Sequence, residues 1–147
     1  MAKSAAKVRT EKGYADLRDH IDALERAGLL VRVKREINKD TEMHPLVRWQ
    51  YRGGLPEKDW RGFLFEKVTG AKGRRYDIPV AVGVMAGSKY IVAVGLGCRP
   101  EEIADKYQKA FRQPIEPIVV ESGPVQEIIQ RKEDLKRAGG LDQFPVP

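Results

Sequence analysis

Residues 78–97, IPVAVGVMAGSKYIVAVGLG, constrain this chain most, because they place an apolar strand, a glycine break and an apolar helix in immediate succession. Val80, Val82 and Val84, with Ala81 and Gly83 between them, form a β-branched run of strand length bounded by Pro79 and Gly87. Such a run predicts a buried strand. Ser88 stands where a helix N-cap belongs, just ahead of residues 89–94 (KYIVAV), and Gly95 and Gly97 offer that helix a place to stop. The remaining elements are expected to pack on this unit or flank it.

Glycines before a helix raise the question of a phosphate cradle, since amides at a helix N-terminus bind anions. The spacing argues against it. A P-loop has four residues between its glycines and then Gly-Lys-Ser/Thr, whereas Gly83 and Gly87 have three residues between them and the order here is Gly87-Ser88-Lys89. Pro100 stands where the third glycine of a dinucleotide fingerprint would follow Gly95 and Gly97. A turn, a cap and close packing account for these glycines.

The chain has 147 residues, the length of one ordinary domain with a real core. Its composition, 41% hydrophobic and 33% charged, is globular but polar enough that some surface is expected to be covered by something else. Of the net charge of +6, half lies in the first twelve residues, where Lys3, Lys7, Arg9 and Lys12 face only Glu11. The internal basic cluster Lys72, Arg74 and Arg75 reads as a solvated hairpin-like loop, so nucleic acid is not expected as a partner. Cys98 is the single cysteine, which excludes an internal disulfide and fits a reducing, cytoplasmic setting. It reads as a small buried thiol, and with only His20 and His44 available it makes neither a nucleophile–base pair nor a zinc site by spacing. Neither a signal peptide nor a run of about twenty apolar residues is present, so no membrane association is expected.

In chain order, residues 1–13 read as a flexible basic arm. Leu17, Ile21 and Leu24 recur at helical spacing behind Asp16 as N-cap, with His20 at the boundary of the apolar stripe. Residues 29–37 predict an edge strand with one wet face, followed by a turn at residues 38–40. A second helix follows with Thr41 as cap and Pro45 in its first turn, carrying Trp49 and Tyr51, which read as core or interface filler, and stopping at Gly53-Gly54. Residues 63–68 (FLFEKV) predict the next strand. A third helix opens at Pro100, with Glu101 and Glu102 toward its positive end and Ile103, Tyr107, Ala110 and Phe111 as its apolar face. The two glutamates therefore have a structural role and do not form an acid/base pair. Residues 115–120 predict a last strand with Pro117 at its start or on an edge, and residues 144–147 (FPVP) end without a cap or an apolar partner. The expected organisation is an arm over 1–13, an α/β domain over 14–122 with helices packed on a small mixed sheet, and a linker over 123–147.

These segments together resemble one family. Residues 16–33, DLRDHIDALERAGLLVRV, resemble the opening of UbiD-like decarboxylases (3-polyprenyl-4-hydroxybenzoate decarboxylase and relatives), D-L-R-x-x-I-x-x-L-x-x-x-G-x-L-x-x-I. Residues 63–70, FLFEKVTG, are similar to their L-L-F-E-N-V-x-G, and residues 79–95, with Gly87-Ser88-Lys89, are similar to P-V-x-x-N-x-x-G-S-x-x-x-x-A-x-x-L-G. Residues 124–129 (PVQEII) and 141–147 (LDQFPVP) are similar to P-V-x-E-V-V and D-L-x-x-F-P-V-P. The resemblance implies the N-terminal α/β domain of a carboxy-lyase that acts reversibly on an aromatic or α,β-unsaturated acid. For the complete enzyme it implies prenylated FMN, a divalent metal (Mn or Mg) and a monovalent cation such as K, the flavin doing the hard step.

Lys67 stands where the family often has Asn, and Gly83 where it often has Asn or Gly. The family's metal-binding Asn, His and Glu and its catalytic Arg and Glu lie after the F-P-V-P element, so no position in residues 1–147 matches them. No catalytic, cofactor-binding or metal residue is therefore assigned. The expected role is structural and inactive alone, as a truncated product or a separate small subunit. Its partner would be a catalytic flavin-binding domain in cis or in trans, within an oligomer. The alternative is a non-enzymatic adaptor or RNA-contacting module using the basic arm and the loop at residues 72–75, whose binding would weaken steeply with salt.

Overall fold

The computed structural model describes residues 13–146, so the arm expected over 1–13 lies, except for Gly13, outside the described residues. The chain forms helix α1 (Leu17–Arg26), strand β1 (Leu30–Asn38), helix α2 (His44–Arg52) and strands β2 (Gly62–Thr69), β3 (Arg75–Tyr76) and β4 (Val80–Val82). Helices α3 (Lys89–Leu96), α4 (Ile103–Arg112) and α5 (Lys132–Arg137) follow. β2 is the hub of a small mixed sheet, running parallel to β1 and antiparallel to both β3 and β4. The fold is α/β.

Alternation along β2 explains why both faces of the sheet are covered. Phe63 and Phe65 join Ile37, Met43, Val47 and Val68 in one core, beneath α2. On the opposite face, Ala81, the register partner of Leu64, packs against a second cluster made by Leu24 of α1, Val84 and Ile91 of α3. Phe65 is fully buried, which by area removed from water stabilises the fold by about 2–3 kcal/mol. β1 lies at the sheet edge with Lys34, Arg35 and Glu36 exposed, but the expected alternation is only partly realised: Val31 is exposed, whereas Arg32 is half-buried where it bonds Glu25 of α1.

Helix α1 starts as predicted, the Asp16 carboxylate accepting from the amides of Arg18 at 2.7 Å and Asp19 at 3.3 Å. The cap expected at Thr41 is displaced to Asn38. Its side-chain oxygen accepts from Asp40 N at 2.9 Å and Thr41 N at 3.2 Å, and a π-helical turn (Lys39–Met43) then feeds straight into α2. The reason is local: Asn38 ends a strand with extended backbone, which lets its short side chain reach both amides.

In the 78–97 stretch the ladder ends at Val82, because Gly83 adopts φ +71° and turns the chain, leaving Val84 buried but off the sheet. Ser88 caps α3 through a 3.3 Å bond from Ile91 N. The helix does not stop at Gly95; it runs on to Gly97. Gly95 is a packing position instead, since a Cβ there would lie 3.3 Å from His20 Cε1.

The strand expected over residues 115–120 does not form. A strand exists as a hydrogen-bonded neighbour of another, and residues 114–122 make no hydrogen bond among the described residues. Among the described residues no helix is long and apolar enough to cross a membrane.

Candidate functional site

The glycine break ahead of α3 is the place where sequence alone raises a ligand site, and the structure shows it already filled. Lys89 N donates to Glu57 Oε1 at 2.8 Å, so a carboxylate of the chain itself sits at the helix N-terminus. Gly83 and Gly87 face the Tyr51 hydroxyl, each with an ideal Cβ position 3.1 Å from it, and a Cβ on Gly87 would collide with the Gly83 carbonyl. The break is a packed corner in which the ring of Tyr51 also meets Trp60 edge-on at 4.9 Å.

The candidate chemical side chains are held in structural roles. His20, placed by sequence at the margin of the apolar stripe, is in fact buried at 5% exposure, with Nε2 2.7 Å from the Val84 carbonyl. Its Nδ1 is buried without a hydrogen-bond partner among the described residues, and because a carbonyl only accepts, Nε2 is the donor in the bond to Val84. His44 is exposed on α2, and Cys98 is half-buried just past α3 rather than fully buried. Cys98 N closes the end of α3 by donating to the Ala93 carbonyl at 3.0 Å, just past the left-handed Gly97.

The carboxylates tell the same story. Glu102 accepts from Arg99 N at 2.8 Å and from the Arg99 guanidinium at 2.9 Å, and these bonds hold it below the usual carboxylate range. Glu25 is lowered by its paired bonds of 2.7 and 2.8 Å from Arg32, whose own pKa is raised by them and by Glu66. A general acid at neutral pH needs the opposite shift, produced by burial or by a like charge. In the basic loop, Arg75 pairs with Glu36 at 3.2 Å and the Arg74 guanidinium lies 5.5 Å over the Tyr76 ring.

Several concavities lie on the described surface, among them the following two. One of about 680 Å³ runs over α2 beside His44, Arg48, Trp49 and Arg52, with Trp49 72% exposed. The other, about 370 Å³, is walled by Tyr14, His20, Met85, Val92, Leu96 and Tyr107. Neither concavity is lined by the glycine-flanked N-terminus of α3, the position where a phosphate would be cradled, and Glu57 closes that position. No three of His, Cys, Asp or Glu among the described residues converge as a metal requires. These residues fit neither group.

What the chain does present is uncovered apolar surface. The predicted face of α4 is covered only at its start, where Ile103 is half-buried; farther on Phe111 is 84% exposed and Tyr107 half-exposed. Beyond it Ile115, Ile118, Val119, Val120, Val125 and Ile128 all stand in solvent. Contiguous exposure of this kind marks an interface.

Residues 21–111 match the 3-octaprenyl-4-hydroxybenzoate carboxy-lyase N-terminal domain. The chain belongs to this family. An uncharacterized protein from the cooM 5' region of Rhodospirillum rubrum is 32% identical over 136 residues, which cover 90% of this chain and 26% of that protein. The UbiD N-terminal domain here thus spans about a quarter of the relative's length. Among solved structures, the vanillic acid decarboxylase of Sedimentibacter hydroxybenzoicus in open form (ShVdcCD) aligns with TM-score 0.53 and 30% identity, covering 69% of this chain and 20% of that one. The same enzyme with truncated ShVdcD aligns with TM-score 0.57 and 30% identity, covering 75% and 23%. The sequence motifs at residues 16–33, 63–70 and 79–95 map onto α1–β1, β2 and β4–α3, the core of the matched region. Sequence reasoning missed the burial of His20. The signal was there in Gly95, since a glycine inside an apolar helix often makes room for a large neighbour.

Proposed function

We propose that this chain is the supporting N-terminal part of a UbiD-like carboxy-lyase acting, in either direction, on an aromatic or α,β-unsaturated carboxylic acid. The observation that carries the reading is the uncovered strip from Tyr107 through Phe111 to Ile128, on a domain that spans about a quarter of the length of a family relative. Such a strip supports a role as one half of an interface. Prenylated FMN, its divalent metal (Mn or Mg) and a monovalent cation belong in this reading to the flavin-binding part, joined to this domain in cis or in trans in a cytoplasmic oligomer. The domain supports that part and supplies no reacting group. The name of the vanillic acid decarboxylase, an enzyme of an aromatic acid, favours the aromatic side of the substrate class.

The test is to purify the 147 residues alone and together with the flavin-binding polypeptide, taken from the continuation of the reading frame or from a neighbouring frame. Flavin absorbance and carbon dioxide release are then measured on both. The reading expects flavin and turnover only in the assembly, and turnover by the isolated chain overturns it.

A further inference from the structure

The most exposed apolar segment of the chain also has the most specific main-chain pattern. Residues 115–120, IEPIVV, carry three β-branched residues in a row, and Ile115, Ile118, Val119 and Val120 are 66–93% exposed. The segment follows α4 directly after Gln113-Pro114, so it continues the uncovered surface of Phe111. Its amides and carbonyls are unpaired among the described residues. The likeness to the Rhodospirillum rubrum protein, which takes in 90% of this chain, runs on past residue 111 where the match to the N-terminal domain family stops. About three quarters of the relative's length lies outside this alignment, so the protein this chain resembles has ample further main chain for such a segment to meet.

Pro117 then decides the geometry. In a strand the N–H and C=O of successive residues point to opposite edges, and a proline has no N–H to give to a ladder. A strand containing Pro117 therefore turns residues 115, 117 and 119 away from its neighbour and pairs through residues 116, 118 and 120. The pattern permits one paired edge and not two.

We propose that residues 115–120 add as a single edge strand to an unpaired sheet edge on the flavin-binding part of the carboxy-lyase, bonding through the main chain of Glu116, Ile118 and Val120. The inference rests on the function proposed above and names the contact by which the two parts join. It is a case of strand addition, in which main-chain bonds give affinity and alternate side chains give specificity.

Amide hydrogen exchange on the assembled carboxy-lyase and on the isolated chain tests it, with flavin content and carbon dioxide release measured on the same sample. The expected result is alternate protection on assembly: slow exchange at Glu116, Ile118 and Val120, with Ile115 and Val119 still fast. Proline substitution gives a second readout. Ile118→Pro is expected to weaken assembly by about tenfold or more relative to Ile118→Ala, because it deletes a ladder donor and leaves an acceptor unpaired. Val119→Pro is expected to stay within about threefold of Val119→Ala, since its N–H faces outward. An active, flavin-bearing assembly in which these amides exchange freely, or in which the two prolines act alike, overturns the inference and leaves the proposed function standing. Protection that arises in the isolated chain as its concentration rises, with a dimer by light scattering, assigns the edge to a second copy and also overturns it. If no flavin-bearing assembly forms, both readings fall.

Discussion

His20 Nε2 lies 2.7 Å from the carbonyl oxygen of Val84, a buried bond spanning 64 residues that ties the first helix to the turn between β4 and α3. It closes the side of the domain where Gly95 admits the imidazole ring. Replacing His20 by Ala removes the donor, strands a buried carbonyl and opens a cavity, so a loss of about 2–4 kcal/mol is expected. The comparison is Tyr14→Phe, which deletes the exposed 2.9 Å bond from the Tyr14 hydroxyl to the Val94 carbonyl and is expected to cost about 1 kcal/mol or less. Urea midpoints of the two variants measure the difference.

The corner formed by Gly83 and Gly87 tolerates no side chain. A Cβ on Gly87 meets the Gly83 carbonyl, which is main chain and cannot swing aside, and it also lies 3.1 Å from Ile91 Cδ1 and from the Tyr51 hydroxyl. Gly87→Ala is expected to destabilise by about 2–4 kcal/mol, and a variant with unchanged thermal midpoint would contradict the packing described.

Acid should unfold the domain through its capping and paired carboxylates. Asp16 is lowered first by the Asp19 and Arg18 amides, Glu25 by Arg32, Asp40 by Lys39, Glu42 by the Asn38 amide and Glu102 by Arg99. Groups held below their unfolded values contribute stability that is complete above those values and is lost as pH falls through the folded ones. The urea midpoint is therefore expected to be level near neutrality and to drop below about pH 4. Glu25→Gln should make that drop shallower, because the Arg32 bonds then no longer depend on proton binding at this position.

Phe111 separates folding from assembly. At 84% exposure it contributes little to the domain itself, so Phe111→Ser is expected to change isolated stability by no more than about 0.5 kcal/mol. In the assembly proposed above, the same change should weaken association with the flavin-binding part by about tenfold or more, the loss expected for an aromatic anchor. Equal binding by the variant, read by titration calorimetry, would remove Phe111 from the interface.

Much of this could be read from local pattern. Asp16 and Ser88 cap the helices their spacing predicts, and the period-two runs around Phe65 and Val82 form paired strands. Glu102 at the entry to α4 is legible as well, since its place behind Pro100 predicts a carboxylate at the positive end of that helix. The cap at Asn38 was not, because Asn38 and Thr41 are both good cap residues and only the end point of β1 chooses between them. His20 was misplaced because a histidine has no hydrophobic period to betray burial; its partner carbonyl is 64 residues away.

The sequence by itself determined helices α1 to α4, the central strands and the family likeness, since each is carried by residues close together in the chain. Tertiary structure alone decided three things: that Glu57 closes the α3 N-terminus, that His20 goes inside, and that residues 115–120 have no strand to pair with among the described residues. The physical reason is common to all three. A hydrogen bond is satisfied by whatever lies within about 3 Å in space, and the strand propensity of residues 115–120 remains unfulfilled until a neighbouring main chain is brought to that distance.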